Sequence, residues 1–321
     1  MRPHGGPDAQ GRAPLDLSTG SHPAGALPRA LQRVRAADPS CYPDPQYRAL
    51  RERLAAWHGV APERLLFAAS ASEFIQRITA LAARIAPGPV ALPQPGYGDY
   101  AAAARACDLA VLAEPGGGVR ASLRWCAEPG SPDGRSAPPP TDLGQPGAPV
   151  TVLDLAYAPL RLDHQDGWSA AARAACFQLV TPNKALGLCG VRGAYAIAPQ
   201  AAAAQPWVEA LHAAEPSWPL GAQGVALLEA WCDEEVQSEL RATLPLLRAW
   251  RAGLAACLSE RGGRVLPGVT PFVAVQVPPH FDALRLRERG VAVRPLDSFG
   301  LPGHWRVNSA PDLSRLWKAL A

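Results

Sequence analysis

The stretch TPNKALGLCGVRGAYAIAP, from Thr181 to Pro199, decides how the rest of the chain is read. It holds one lysine, Lys184, one arginine, Arg192, and glycines at 187, 190 and 193, set between two apolar runs. A lone loop lysine is most often a solvated surface charge, but the neighbours argue against that here. The glycines let the backbone pass close to a ligand. Arg192 could clamp a phosphate through two parallel hydrogen bonds. A buried lysine beside a second cation has a lowered pKa and becomes a usable amine nucleophile. An amine nucleophile beside a phosphate clamp suggests a Schiff base with pyridoxal 5'-phosphate (PLP).

Outward from this stretch, short apolar runs alternate with helical patterns. RLLFAA, PVALP, LAVLAE, VTVLDLAYA, CFQLVT and GAYAIAP read as strands, and SEFIQRITALAARI and GDYAAAARACD as helices among them. Runs of this kind suit a sheet buried on both faces. The expected fold is α/β, with a mostly parallel central sheet flanked by helices. Ahead of it, residues 44–58 read as a helix capped by Asp44, with Tyr47, Leu50, Leu54 and Trp57 on one apolar face. Residues 128–149 are a Pro/Gly-rich loop. From about 223 a long helical stretch, interrupted at Pro245, leads into TPFVAVQVP, FDALRLRERG, VAVRPL, HWRVNSA and PDLSRLWKAL, a small α+β unit. We expect an N-terminal arm at 1–40 that packs with the small domain, a large PLP-binding domain at 41–222 and the small domain at 223–321.

Composition narrows the class. Hydrophobic residues make up 48 % of the 321 and charged residues 18 %, with net charge +3 and no dense basic run. That balance argues against nucleic acid as a partner. The seven cysteines form no CxxC pair, which argues against a metal site or a disulfide framework and for a reducing compartment. No apolar signal core opens the chain, and no run of about 18 apolar residues occurs, so neither a leader nor a membrane span is expected. The expectation is a cytoplasmic protein.

TPNKALGLCGVRGAY resembles the lysine motif of fold-type I PLP enzymes, the aminotransferase class I/II superfamily, at Thr181, Lys184, Gly187, Leu188, Gly190, Arg192 and Gly193. Other segments resemble that superfamily in its order. Asp154 and Tyr157 in VLDLAY match a D-x-x-Y element. The resemblance implies a carboxylate on the cofactor's ring nitrogen, keeping the ring an electron sink, and a phenol on its 3-oxygen. FAASASEFI resembles the phosphate-cradling turn, with Ala71 and Ser72 at a helix N-terminus and Ser70 in place of a glycine. Tyr97 in PQPGYGDY matches the aromatic laid on the ring, and Ser131 stands where the superfamily carries an Asn on the 3-oxygen. Tyr42 in CYPDPQY matches a tyrosine that reaches the partner's cofactor phosphate, which implies a homodimer with shared active sites. Arg306 in HWRVNSA matches the arginine offered to a substrate carboxylate.

The arm sharpens the resemblance. HGG at 4–6 and LDLSTGSHPAG are similar to the arm of the cobalamin-pathway threonine-phosphate decarboxylases, relatives of histidinol-phosphate aminotransferases. The similarity implies that His4 and His22 meet the substrate, His22 standing in place of an Asn. The implied reaction is loss of CO₂ from L-threonine O-3-phosphate, giving (R)-1-amino-2-propanol phosphate. Amino transfer on histidinol phosphate or a similar amino acid is the alternative, and a PLP-fold protein without catalysis a third. Lys184, Asp154 and Arg306 would serve both reactions. The bond held perpendicular to the cofactor ring is the one that breaks, and a sequence does not fix that angle.

Overall fold

The structure, a computed structural model, describes residues 4–113, 120–165, 167–201 and 204–320. The chain opens with β1 (Leu15–Asp16), α1 (Pro28–Ala36) and α2 (Arg48–His58). It then runs β2 (Leu65–Ala68), α3 (Ala71–Ile85), β3 (Val90–Leu92), α4 (Gly98–Ala106), β4 (Val111–Ala113), β5 (Leu123–Ala127) and β6 (Val150–Asp154). After α5 (Ala170–Ala174) come β7 (Phe177–Val180), β8 (Ala194–Ile197), α6 (Gln205–Ala213), α7 (Ala222–Trp231) and α8 (Glu234–Glu260). The last part holds β9 (Arg264–Val265), β10 (Val273–Gln276), α9 (Ala283–Glu288), β11 (Val291–Ala292), β12 (Arg294–Pro295), β13 (His304–Val307) and α10 (Ser314–Leu320).

The apolar runs meet in one seven-stranded sheet, ordered β2-β8-β7-β6-β5-β3-β4. Only β8 runs against its neighbours; the remaining pairs are parallel. The sheet is covered on both faces, as the unbroken apolar runs predict. Along β2, Leu65 and Phe67 enter one core while Leu66 and Ala68 enter the other. A period of two sends neighbouring side chains to opposite faces, so a strand apolar throughout needs cover on both. The parallel strands bring their C-terminal ends to one edge, the usual place for a ligand in such a sheet.

A second, antiparallel sheet, β12-β13-β10-β9, packs with α9, α10 and the end of α8 around Leu258, Val275, Val291 and Trp305. The N-terminal strand β1 pairs in parallel with β11, Leu15 opposite Val291. The arm thus joins both units, because α1 buries Ala30 and Val34 in the large core. Helix α7 also belongs to that core through Leu227, Leu228 and Trp231. Within α8, Leu240 and Leu247 face the large core, and Leu254 and Leu258 the small one. On this packing we propose a domain division inside α8 in place of one at 222/223.

Three local expectations change. Helix α8 continues through Pro245, its apolar contacts on both sides outweighing the one lost backbone bond. The chain breaks instead before Asp233, whose carboxylate caps α8 by accepting from the Glu235 N–H at 2.9 Å. Helix α2 begins only at Arg48, where the Asp44 carboxylate accepts the Arg48 N–H at 3.0 Å, and Trp57 stays 37 % exposed. VAVRPL splits at Val293 into β11 and β12, which pair with different strands. Among the described residues no helix is long and apolar enough to cross a membrane, and no cluster of His, Cys, Asp or Glu could hold a metal.

Candidate active site

Four loops leave the C-terminal edge of the sheet and close on one cavity of about 500 Å³. The loop after β3 supplies Tyr97, the loop after β5 Ser131, the end of β6 Asp154 and Tyr157, and the loop after β7 Lys184. The small sheet adds Arg306 from β13, and the arm adds His4 at an exposed rim.

Lys184 sits half-buried with its Nζ 4.4 Å from the centre of the Tyr157 ring and 6.0 Å from that of Tyr97. Burial pushes the amine's pKa down, but Tyr157, Asp154 and Tyr97 pull it up more strongly, against Arg306. The net direction is upward, so the lowered pKa expected from Arg192 is not found. Arg192 itself is exposed and does not line the cavity. Its carbonyl lies against Gly224 of α7, where an added Cβ would come within 2.6 Å of it, and the side chain goes outward. The lysine loop is clamped by the arm: His22 N–H donates to the Lys184 carbonyl at 2.8 Å and Leu27 N–H to that of Leu186 at 3.0 Å. Gly187 makes this possible. It has φ +68°, and a Cβ there would lie 2.0 Å from the Gly25 carbonyl oxygen.

Asp154 is buried with both oxygens held. Oδ1 accepts from the Ala156 N–H at 2.9 Å and Oδ2 from the Tyr100 hydroxyl at 2.7 Å. Tyr157 packs edge-on against Phe272, and its hydroxyl touches the arm at Gly20, where a Cβ would stand 2.5 Å away.

The N-terminus of α3 is built differently from what its sequence suggests. Ser70 is the N-cap, accepting the Glu73 N–H at 3.1 Å. The Ser72 hydroxyl donates to Asp99 at 2.8 Å, and the Tyr97 hydroxyl donates to the same carboxylate at 2.9 Å. Ala71, Ser72 and Thr181 lie behind the cavity wall, Thr181 bonding Asn183 at 3.1 Å. His22 is also outside the cavity; its ring bonds Thr243 at 2.9 Å, and burial lowers its pKa to about 4. Tyr42 is 78 % exposed and stacks on Trp218 at 4.5 Å, away from the cavity.

Sequence reading missed Arg294, Tyr100 and Asp99. Arg294 on β12 stands directly opposite Arg306 in the antiparallel register, and both are buried in the cavity wall. Arg306 donates to the Ser18 carbonyl at 2.9 Å and lies over Phe272, while its Nε has no hydrogen-bond partner among the described residues. Arg294 donates to Ser298 at 2.9 Å; burial and the Arg306 charge lower its pKa. The only available signal was a single Arg inside an apolar strand, VAVRPL.

The ring end fits PLP: a lysine amine, a buried carboxylate held in place by two donors, and two phenols share one cavity. A site of this kind, at the C-terminal edge of a mostly parallel sheet, defines a PLP-dependent enzyme of the fold-type I class. Comparison carries this a step further. The chain belongs to the aminotransferase class I and II family, whose model matches residues 13–115 and 125–320. It is 30 % identical to the histidinol-phosphate aminotransferase of Erythrobacter litoralis, over 98 % of this chain and 91 % of that one. It is also 30 % identical to histidinol-phosphate aminotransferase 2 of Rhizobium meliloti, over 87 % and 84 %. Two solved structures share the fold. Histidinol-phosphate aminotransferase from Sinorhizobium meliloti, in complex with PLP, has a TM-score of 0.77 at 20 % identity, covering 97 % of this chain and 90 % of that one. L-threonine-O-3-phosphate decarboxylase from Porphyromonas gingivalis has a TM-score of 0.78 at 17 % identity, covering 95 % and 97 %.

Proposed function

We propose that this chain acts on a small phosphorylated amino acid, and that its reaction is the decarboxylation of L-threonine O-3-phosphate to (R)-1-amino-2-propanol phosphate. The observation that carries this reading is the cross-strand pair Arg294 and Arg306, both buried and both facing the Lys184 cavity. Like charges directly opposite on neighbouring strands repel, and burial sharpens the cost. Asp297 offsets part of it at Arg294, and an anionic ligand between the two arginines would lower it further. Threonine phosphate brings a carboxylate and a phosphate to the two guanidiniums; histidinol phosphate brings a phosphate alone.

When bound, PLP supplies the electron sink. Lys184 would hold it, Asp154 would keep the proton on its ring nitrogen, Tyr157 and Ser131 would face its 3-oxygen, and Tyr97 would cover the ring. Arg294, Arg306 and His4 would orient the anionic ends of the substrate, which sets the bond standing perpendicular to the ring. Lys184, held protonated, is placed to return a proton to the substrate's α-carbon after CO₂ leaves.

The second reading is amino transfer on histidinol phosphate or a similar amino acid. The names of the relatives support it more widely than the first. In that reading Lys184 removes the α-proton and the carboxylate or phosphate stays in plane. One assay divides them. PLP-loaded protein given threonine phosphate should release CO₂ whether or not 2-oxoglutarate is present. Oxoglutarate-dependent glutamate formation from histidinol phosphate, without CO₂ release from threonine phosphate, would replace the first reading by the second. We further propose a homodimer in which Tyr42 completes the partner's site, to be checked by sedimentation.

A further inference from the structure

We infer that Tyr100 is a positioning residue for Asp154, holding its carboxylate aimed at the cavity, and thereby setting how tightly the protein keeps PLP. The inference rests on reading Asp154 as the acid for the cofactor's ring nitrogen. A carboxylate buried at a strand end loses its water, and donors must replace that water. Asp154 has two: the Ala156 N–H, fixed by the chain two residues on, and the Tyr100 hydroxyl, brought from α4.

Tyr100 has little freedom to do anything else. It is fully buried and lies flat on Trp125 of β5, ring centres 4.5 Å apart and planes 8° from parallel. Its other side meets the edge of Tyr97 at 5.6 Å. Burial, and then the Asp154 charge, push the phenol's pKa well above its usual range, so the hydroxyl remains a donor. Tyr97 and Tyr100 are three residues apart at the start of α4, so one helical turn brings both phenols to the cavity wall, with the Tyr100 hydroxyl on the acid. Without the hydroxyl, Oδ2 loses its donor in a dry place, and the carboxylate is no longer held in its present orientation.

The test is an equilibrium titration of cofactor-free protein with PLP, followed by absorbance, for the wild type, Tyr100→Phe, Asp154→Asn and the double variant. Tyr100→Phe keeps both ring stacks, and its thermal melt without cofactor reports that it folds. Its Kd for PLP should rise about tenfold, the worth of a hydrogen bond to a charged group. In the Asp154→Asn background the same change should move Kd by less than about twofold, because the charged acceptor is gone. An equal rise in both backgrounds, or none in the wild type, overturns the role of Tyr100. Should Asp154→Asn itself bind PLP like the wild type, the reading of Asp154 falls and the inference with it.

Discussion

At the sheet end of the cavity, Asp154 has a donor on each oxygen, and Lys184 rests over Tyr157 with the charge of Asp154 near it. At the small-sheet end, two buried arginines stand across from each other on β12 and β13, and the Arg306 Nε has no hydrogen-bond partner among the described residues. Both ends are polar and both are buried, yet one holds a carboxylate with a donor on each oxygen and the other brings two like charges into register, with Asp297 acting on Arg294 from the opposite sign. The difference suits their proposed guests. A resident cofactor is best met by groups already held in place, so that little order is lost on binding. A substrate that comes and goes is best met by fixed charges of opposite sign, and the two guanidiniums offer an anion that match.

Lys184→Ala should break the first end most completely. Turnover should fall by about a thousandfold or more, and the visible band of bound PLP should vanish. If an arginine-end variant had as large an effect on that band, the two ends would not be separate. Arg306→Met should lower kcat/KM by about a hundredfold, in line with losing one member of a buried charged contact, and leave the Kd for PLP near that of the wild type. The same variant sharpens the comparison in the absence of substrate. Inorganic phosphate should raise the Tm of the wild type and raise that of Arg306→Met much less, since a ligand stabilises only where it binds.

The sheet end has its own weakness, in acid. His22 ties the arm over the lysine loop, and His58 bonds the Tyr195 hydroxyl at 2.6 Å; burial lowers both pKa values to about 4. Between about 4 and the ordinary value of 6.5 the unfolded chain binds protons that the folded chain does not. Stability therefore falls as pH drops through that window and is recovered above it. Thermal melts from pH 7 to 4 should show this fall, and His58→Gln should flatten it. The smallest effect expected is from Asp99→Ala. One hydroxyl donates one proton, so Ser72 cannot serve Asp99 and a cofactor phosphate together. Freeing it should tighten PLP binding by about threefold, measured by the same titration.

Much of the fold could be read from patterning alone, because strands buried on both faces have no polar alternation to hide them. The arm was harder: Leu15 pairs near the C-terminus while Ala30 packs on the large core, and no local pattern encodes that division. In the site, Lys184, Asp154, Tyr157, Tyr97, Ser131, Arg306 and His4 line one cavity, while Arg192, Thr181, Ala71, Ser72, Tyr42 and His22 do not. A motif marks positions along a chain, and whether a side chain turns inward depends on what packs behind it. The Arg192 carbonyl packed on Gly224 and the Ser72 hydroxyl taken up by Asp99 are such cases.

Composition held one further clue. Lys184 is one of two lysines, with Lys318, among 31 basic side chains. In a chain that uses arginine nearly everywhere, a lysine kept at 184 supports the proposal that an amine reacts there, because a guanidinium does not give up its proton. The amine at 184, the acid at 154 and the alternation of strand and helix were determined by the sequence itself, since each is a local property of residue type and spacing. The opposition of Arg294 and Arg306 and the grip of Tyr100 on Asp154 were decided only by the tertiary structure. Both depend on sheet register and helix placement, and a shift of one residue would turn either arginine to the opposite face.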